Sequence, residues 1–217
     1  MSEKTELMPS EHEVLKKWNR VFYDLGAVWE YSGGDVCALH TLSGKVSDYY
    51  FNSEVISNNG ETLEALCREV YLPQIKHSNL DIDAVASYPP YGVAFGNAMA
   101  RGLGVPSYFL RSLDTGEIDD TLKRDARVLV VADDIFSGGS VSQTIRAVHA
   151  RGGTVVPLVF AFGNFSGKTS IEGFEIVSVI SRRVDVCDVA DSPLVARGVR
   201  PVNAREYWGE LFVRRSA

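Results

Sequence analysis

Asp133 and Asp134 stand side by side after the apolar run Val128-Leu-Val-Val-Ala132, and Ser137-Gly138-Gly139-Ser140-Val141 follows them after Ile135 and Phe136. A buried strand that gives way to a hydroxyl- and glycine-rich turn and then to a helix aims several backbone N–H groups at one spot, where the helix dipole adds about half a positive charge. Such a corner suits a phosphate dianion, and glycine lets the backbone approach it closely. Two carboxylates next to that corner repel phosphate and need a partner of their own. Ionised carboxylates only accept hydrogen bonds, and the vicinal hydroxyls of a ribose donate them, so a phosphorylated ribose satisfies both halves of the motif. The competing reading is a strand-turn-helix corner whose acids merely cap the helix, although a cap requires one acid and not two.

The segments around this motif must position it. Ser10-Glu11-His12-Glu13 has capping-box spacing, and Val14, Leu15, Trp18, Phe22 and Leu25 recur at helical intervals up to Gly26, which predicts a first amphipathic helix. Residues 36–56 predict short strands broken at Ser43-Gly44 and Asn52, and residues 61–77 predict a helix. Strands over 84–88, 107–110, 127–132, 154–162 and 175–180 then alternate with helices over 92–102 and from Val141 to Gly152-Gly153. Residues 111–125 are polar and aperiodic and predict a long loop, of the kind that is usually functional or disordered. Alternation of this type predicts an α/β fold: a central, mainly parallel sheet flanked by helices, with the ligand at the carboxyl end of the strands. Three regions follow: residues 1–60 as an N-terminal helix and hood, 61–185 as the core, and 186–217 as a C-terminal segment packing on core or hood.

Composition narrows the function. With 217 residues, 45% of them hydrophobic, the chain can bury a real core. A net charge of −6 and no Lys/Arg run longer than two argue against a groove that tracks nucleic acid. Cys37, Cys67 and Cys187 and the four histidines, His12, His40, His77 and His149, lack zinc-site or redox spacing and are expected as reduced thiols and ordinary side chains. No apolar stretch approaches the roughly 18 residues of a membrane span, so a soluble, cytoplasmic protein is expected.

The pattern of apolar strand, two acids, two apolar residues and hydroxyl-glycine turn resembles the phosphoribosyl-pyrophosphate signature of the type I phosphoribosyltransferases. Leu25-Gly26-Ala27-Val28, with His40-Thr-Leu-Ser43-Gly44-Lys45-Val-Ser47-Asp-Tyr49-Tyr50-Phe51-Asn52, is similar to the N-terminal segment of the orotate phosphoribosyltransferase group, so the likeness covers about residues 14–185. It implies that 5-phosphoribosyl-1-pyrophosphate binds with its ribose on Asp133 and Asp134 and its 5'-phosphate on Ser137, Gly138, Gly139, Ser140 and Val141. Tyr88, Pro89, Pro90 and Tyr91 fall where the family has its pyrophosphate loop, and Arg111 opens the mobile loop as a candidate pyrophosphate contact and catalytic residue; a solvated loop arginine is the alternative. Lys45, Tyr50 and Phe51 belong to the base side, although Tyr49, Tyr50 and Phe51 also suit plain core packing. Arg182 or Arg183 matches a family arginine near the base. The resemblance further implies Mg²⁺, held through pyrophosphate and ribose hydroxyls, a nucleobase as second substrate, and a homodimer.

The likeness breaks at the cations. Where orotate enzymes carry lysines, this chain has Leu42 and Tyr91, and its loop, Arg111-Ser-Leu-Asp-Thr-Gly-Glu-Ile-Asp-Asp120, is acidic. Pyrophosphate gathers negative charge as it leaves, and losing one positioned donor costs about 3 kcal/mol, or a hundredfold in rate. Lys45 either replaces a missing lysine or faces water, and Asp114, Glu117, Asp119 and Asp120 either recruit Mg²⁺ or are simply solvated. Three functions stay open: phosphoribosyl transfer to orotate or another base; a regulatory protein that senses phosphoribosyl pyrophosphate or a nucleotide without turnover; and another doubly wound nucleotide-binding domain.

Overall fold

The computed structural model describes residues 9–40, 43–111 and 116–212. Helix α1 (Pro9–Asp24) leads through β1 (Val28–Glu30), β2 (Val36–His40), β3 (Lys45–Ser47) and β4 (Tyr49–Phe51) into short helices α2 (Ser53–Ser57), α3 (Gly60–Leu66) and α4 (Leu72–His77). A π-helical stretch, Cys67–Tyr71, joins α3 to α4. The alternating part follows as β5 (Ala84–Ser87), α5 (Tyr91–Leu103), β6 (Ser107–Phe109), β7 (Arg127–Ile135), α6 (Gly139–Ala150), β8 (Thr154–Asn164), β9 (Ser170–Ile171) and β10 (Phe174–Ser181). After it come β11 (Cys187–Asp188), α7 (Pro193–Ala196) and β12 (Arg200–Asn203).

A six-stranded sheet in the order β6-β5-β7-β8-β10-β9 forms the centre, parallel throughout except for the antiparallel edge strand β9. Its middle strands, β7 and β8, are rich in Val, Leu, Ala and Phe and buried on both faces, as a sheet covered by helices on each side demands. Alternate residues divide the two cores. Val85, Leu129, Val131, Phe160 and Phe162 face Trp18 and Phe22 of α1, the helices of residues 60–77, and Phe95 and Met99 of α5. Ala84, Ala86, Val128, Val130, Val159 and Ala161 face Val141, Ile145 and Val148 of α6.

A second sheet, β11-β3-β2-β12, lies beyond this core and is closed by the C-terminal part of the chain: β12 runs parallel to β2, pairing Val202 with Ala38 and Asn203 with Leu39. Two tryptophans tie it down. The Trp29 indole donates to the Leu211 carbonyl at 2.7 Å, and the Trp208 indole donates to the Gly26 carbonyl at 3.1 Å.

The sequence-based boundaries shift for identifiable reasons. Helix α1 already includes Ser10, which therefore lies inside the helix and not at its cap. Leu25 is 38% exposed, because the helix has already ended and Gly26, at φ +71°, turns the chain away. Ile56 belongs to helix α2 and not to a strand, since the Asn52 side chain caps that helix by accepting from the Glu54 N–H. The loop after β6 is less free than its polarity suggests: Ile118 and Leu122 are buried against the α6 face of the sheet. Strands β9, β11 and β12 carry no clear alternation and were not anticipated.

Tyr71 anchors the helical layer to the sheet, with its ring fully buried and its hydroxyl donating to the Ala161 carbonyl at 2.6 Å. Tyr71→Phe leaves the packing in place and removes that bond, so it should cost about 1–2 kcal/mol in a urea unfolding titration. Unchanged stability would show that the bond contributes nothing.

Candidate functional site

Strand β7 extends beyond its apolar run, because parallel pairing with β8 continues through Asp134↔Gly163 and Ile135↔Asn164. Both acids are therefore strand residues, and successive side chains of a strand point to opposite faces. The Ser53 hydroxyl donates to the Asp133 carboxylate at 2.9 Å. Gly92, near the start of α5, neighbours Asp133 and the Ser87 side chain, and a Cβ there would stand 3.8–3.9 Å from both, in ordinary van der Waals contact. Burial pushes the Asp133 carboxyl up, against the pull of Ser53 and of the Arg205 charge. Burial, reinforced by the charge of Asp133, pushes Asp134 well above the usual carboxylate range, and Arg205 again opposes the shift. Neither acid caps α6, whose N-cap is Gly138 without a side-chain hydrogen bond.

The turn after the acids has a specific backbone need. Gly138 adopts φ +87°, and a Cβ there would meet Ile171 Cδ1 of the edge strand at 2.8 Å. At Gly139 the space toward the cavity is open apart from Ser137 Oγ, which accepts the Gly139 N–H at 3.3 Å. Gly138 thus gives α6 no side-chain cap, and Ser137 Oγ takes only the Gly139 N–H of a first turn that opens at the mouth of the cavity.

A cavity of about 840 Å³ lies between the carboxyl edge of the large sheet and the smaller sheet. Its walls bring together Asp133, Asp134, Ser137, Gly138, Gly139, Ser140 and Val141 with Tyr88, Pro89, Pro90 and Tyr91 from the turn after β5, and with Lys45, Tyr50, Phe51 and Arg183. Two expected residues are not among its walls. Arg111 is held at 2.9 Å by Asp119 in the loop after β6, and its own N–H is bound by the Glu117 carbonyl. Arg182 pairs with Glu30 and lies over the Tyr49 ring, 4.4 Å from its centroid. Loop carboxylates also have partners: Asp119 accepts from Thr121 as well as Arg111, and Asp120 pairs with Arg151. Leu42 and Asp114 lie outside the described residues.

Sequence reasoning passed over several cavity residues and supports, Phe136 and Phe165 among them. His40 lines the cavity between Tyr50 and Phe136, at 5.0 and 5.3 Å between ring centroids, with a ring nitrogen 2.7 Å from the Ser47 hydroxyl. Burial lowers its pKa to about 4, so it is neutral at pH 7. Ser53 holds Asp133, and its only sequence signal is its place after the Asn52 cap. Arg205 enters from the segment after β12 and lies over the Tyr91 ring, 5.2 Å from its centroid. Among the described residues, no group of three His, Cys, Asp or Glu side chains is placed to hold a metal ion, and no helix is long and apolar enough to cross a membrane.

The chain is similar in sequence and fold to known proteins. The chain is 28% identical over 164 residues to the orotate phosphoribosyltransferase of Desulforamulus reducens, covering 74% of this chain and 83% of that one. It is 26% identical over 139 residues to the hypoxanthine/guanine phosphoribosyltransferase of Methanocella paludicola, covering 55% of this chain and 73% of that one. No family profile matches the chain. Orotate phosphoribosyltransferase from Aeropyrum pernix superposes with a TM-score of 0.57 at 20% identity, over 79% of this chain and 93% of its own. The chain thus has the fold of the type I phosphoribosyltransferases and is similar in sequence to them, with orotate phosphoribosyltransferases prominent among its relatives.

The acid pair sets a pH signature. Asp134 holds its proton more tightly folded than unfolded, so folding stability falls as pH rises from the ordinary carboxylate value of about 4 toward the raised one. Asp134→Asn removes that decline. By calorimetry the variant should melt above the wild type at pH 8, by about 2–4 °C per kcal/mol of relieved penalty, and alongside it at pH 4. An equal or lower melting temperature at pH 8 contradicts the assignment.

Proposed function

We propose that the cavity binds 5-phosphoribosyl-1-pyrophosphate and that the protein transfers its phosphoribosyl group to a ring nitrogen of a nucleobase, releasing pyrophosphate. The observation that carries this reading is the convergence of the acid pair and the first turn of α6 on one cavity. In this reading the N–H groups of Gly138 to Val141 and the hydroxyls of Ser137 and Ser140 hold the 5'-phosphate. Asp133 and Asp134 accept from the ribose hydroxyls, which with Arg205 favour their ionised form, and the resulting carboxylate charge favours the positive character that develops at the anomeric carbon as its bond to pyrophosphate breaks and its bond to nitrogen forms. The turn from Tyr88 to Tyr91 faces the pyrophosphate.

Mg²⁺ fits this cavity as an ion held mainly by substrate oxygens, because such an ion usually takes one or two carboxylates plus phosphates, and the acid pair supplies carboxylates without a protein cage. When bound it would neutralise charge on the departing pyrophosphate. The homodimer rests on the resemblance alone. On the base side, neutral His40, Tyr50, Phe136 and Phe165 form an aromatic wall suited to stacking on a planar ring. Relatives named for orotate and for hypoxanthine/guanine make both classes candidates.

A second reading, ligand sensing without turnover, is favoured by one observation: Arg111 is tied to Asp119, and Lys45 and Arg183 in the cavity are each tied to an acid, Asp188 and Asp185.

Calorimetric titration with phosphoribosyl pyrophosphate and Mg²⁺ tests the shared premise. Asp133→Asn combined with Asp134→Asn should weaken binding at least about tenfold, the loss expected for hydrogen bonds to charged groups. Undiminished affinity refutes the site. Pyrophosphate release across orotate, uracil, adenine, hypoxanthine and guanine then separates the readings: turnover with any base supports transfer, and tight binding with silence throughout supports sensing.

A further inference from the structure

We propose that Arg205, supplied by the C-terminal segment, is the cation that grips the pyrophosphate end of the ligand, in place of the lysine that Tyr91 displaces; this rests on the reading of the cavity as a phosphoribosyl-pyrophosphate site. Three observations carry it. The guanidinium lies over the face of Tyr91, the last residue of the turn assigned to pyrophosphate and the first of α5, so a positive charge stands where the side chain of that turn carries none. Lys45 and Arg183, the other cations of the cavity wall, are each paired to a carboxylate, whereas Arg205 has no ion pair among the described residues. It shares the cavity wall with Asp133 and Asp134, and its charge acts on both carboxyl groups.

The segment is built to hold the side chain there. Asn203 ends β12 in register with Leu39, and its side-chain carbonyl accepts the N–H groups of Arg205 and Glu206 at 3.2 and 3.3 Å. Its amide donates to the Glu206 carboxylate at 3.2 Å, turning that acid back on Asn203. Ala204 is fully buried, and Trp208 packs on Tyr50 with its indole bonded to Gly26. Arg205 thus springs from a fixed turn over the cavity, and its planar, multi-donor head matches phosphate oxygens.

The full chain and its Arg205→Ala and Arg205→Lys variants would be titrated calorimetrically, each with Mg²⁺, against phosphoribosyl pyrophosphate, pyrophosphate and ribose 5-phosphate. Arg205→Ala should weaken the two pyrophosphate-bearing ligands about 10- to 100-fold and leave ribose 5-phosphate within about twofold. Arg205→Lys should recover part of the loss, because it restores the charge but not the fork. Equal losses on all three ligands, or no loss on the pyrophosphate-bearing pair, overturn the proposal while the wild type's own binding keeps the site assignment intact. A wild type that binds none of the three overturns both. Unfolding midpoints of the variants within about 2 °C of the wild type secure the comparison, since loss of one unit of stability moves a domain of this size by that much.

Discussion

Two carboxyl groups on consecutive residues are held partly buried where β7 leaves the sheet, and burial together with the charge of Asp133 makes Asp134 hard to ionise. The rest of the site answers that constraint. Ser53 donates to Asp133, Arg205 sets a positive charge near both acids, and the start of α6, which Gly138 leaves without a side-chain cap, opens on the same cavity. A bare pair of this kind costs stability in an empty protein, so its presence makes sense when a ligand brings hydroxyl donors for the carboxylates and a phosphate for the amides. The account of function follows from this balance of charge, with the family likeness as support for it.

The architecture serves the same end. Sheet strands β5 and β7 deliver the Tyr88–Tyr91 turn and the acid pair to one edge, where the start of α5 neighbours Asp133. The smaller sheet closes the other side of the cavity. It is assembled from segments more than 150 residues apart in the chain, β2 and β12, so residues near the C-terminus take part in a site whose main motif lies in the middle of the sequence.

Legibility followed the length and periodicity of the signal. The α/β core could be read because β7, β8 and α6 bury complete faces and repeat with fixed periods, and the motif at residues 133–141 could be read because two adjacent acids before a glycine turn have few structural excuses. Strands of two to four residues at 170–171, 187–188 and 200–203 are too short to show a period, and their pairing is decided by distant partners. Arg205 was invisible for the same reason: an arginine in a polar tail says nothing until β12 docks on β2. Arg111 went the other way. Its place at the head of a loop suggested a ligand contact, but Asp119, eight residues on, offers a partner that sequence distance alone does not rule in or out.

A crystal structure of the protein with ribose 5-phosphate tests the central claim most directly. The account predicts the phosphate within hydrogen-bonding distance of the backbone N–H groups of residues 138–141 and the two ring hydroxyls on the carboxylates of Asp133 and Asp134. Phosphate bound elsewhere in the cavity, or hydroxyls that leave both carboxylates without a donor, would contradict it.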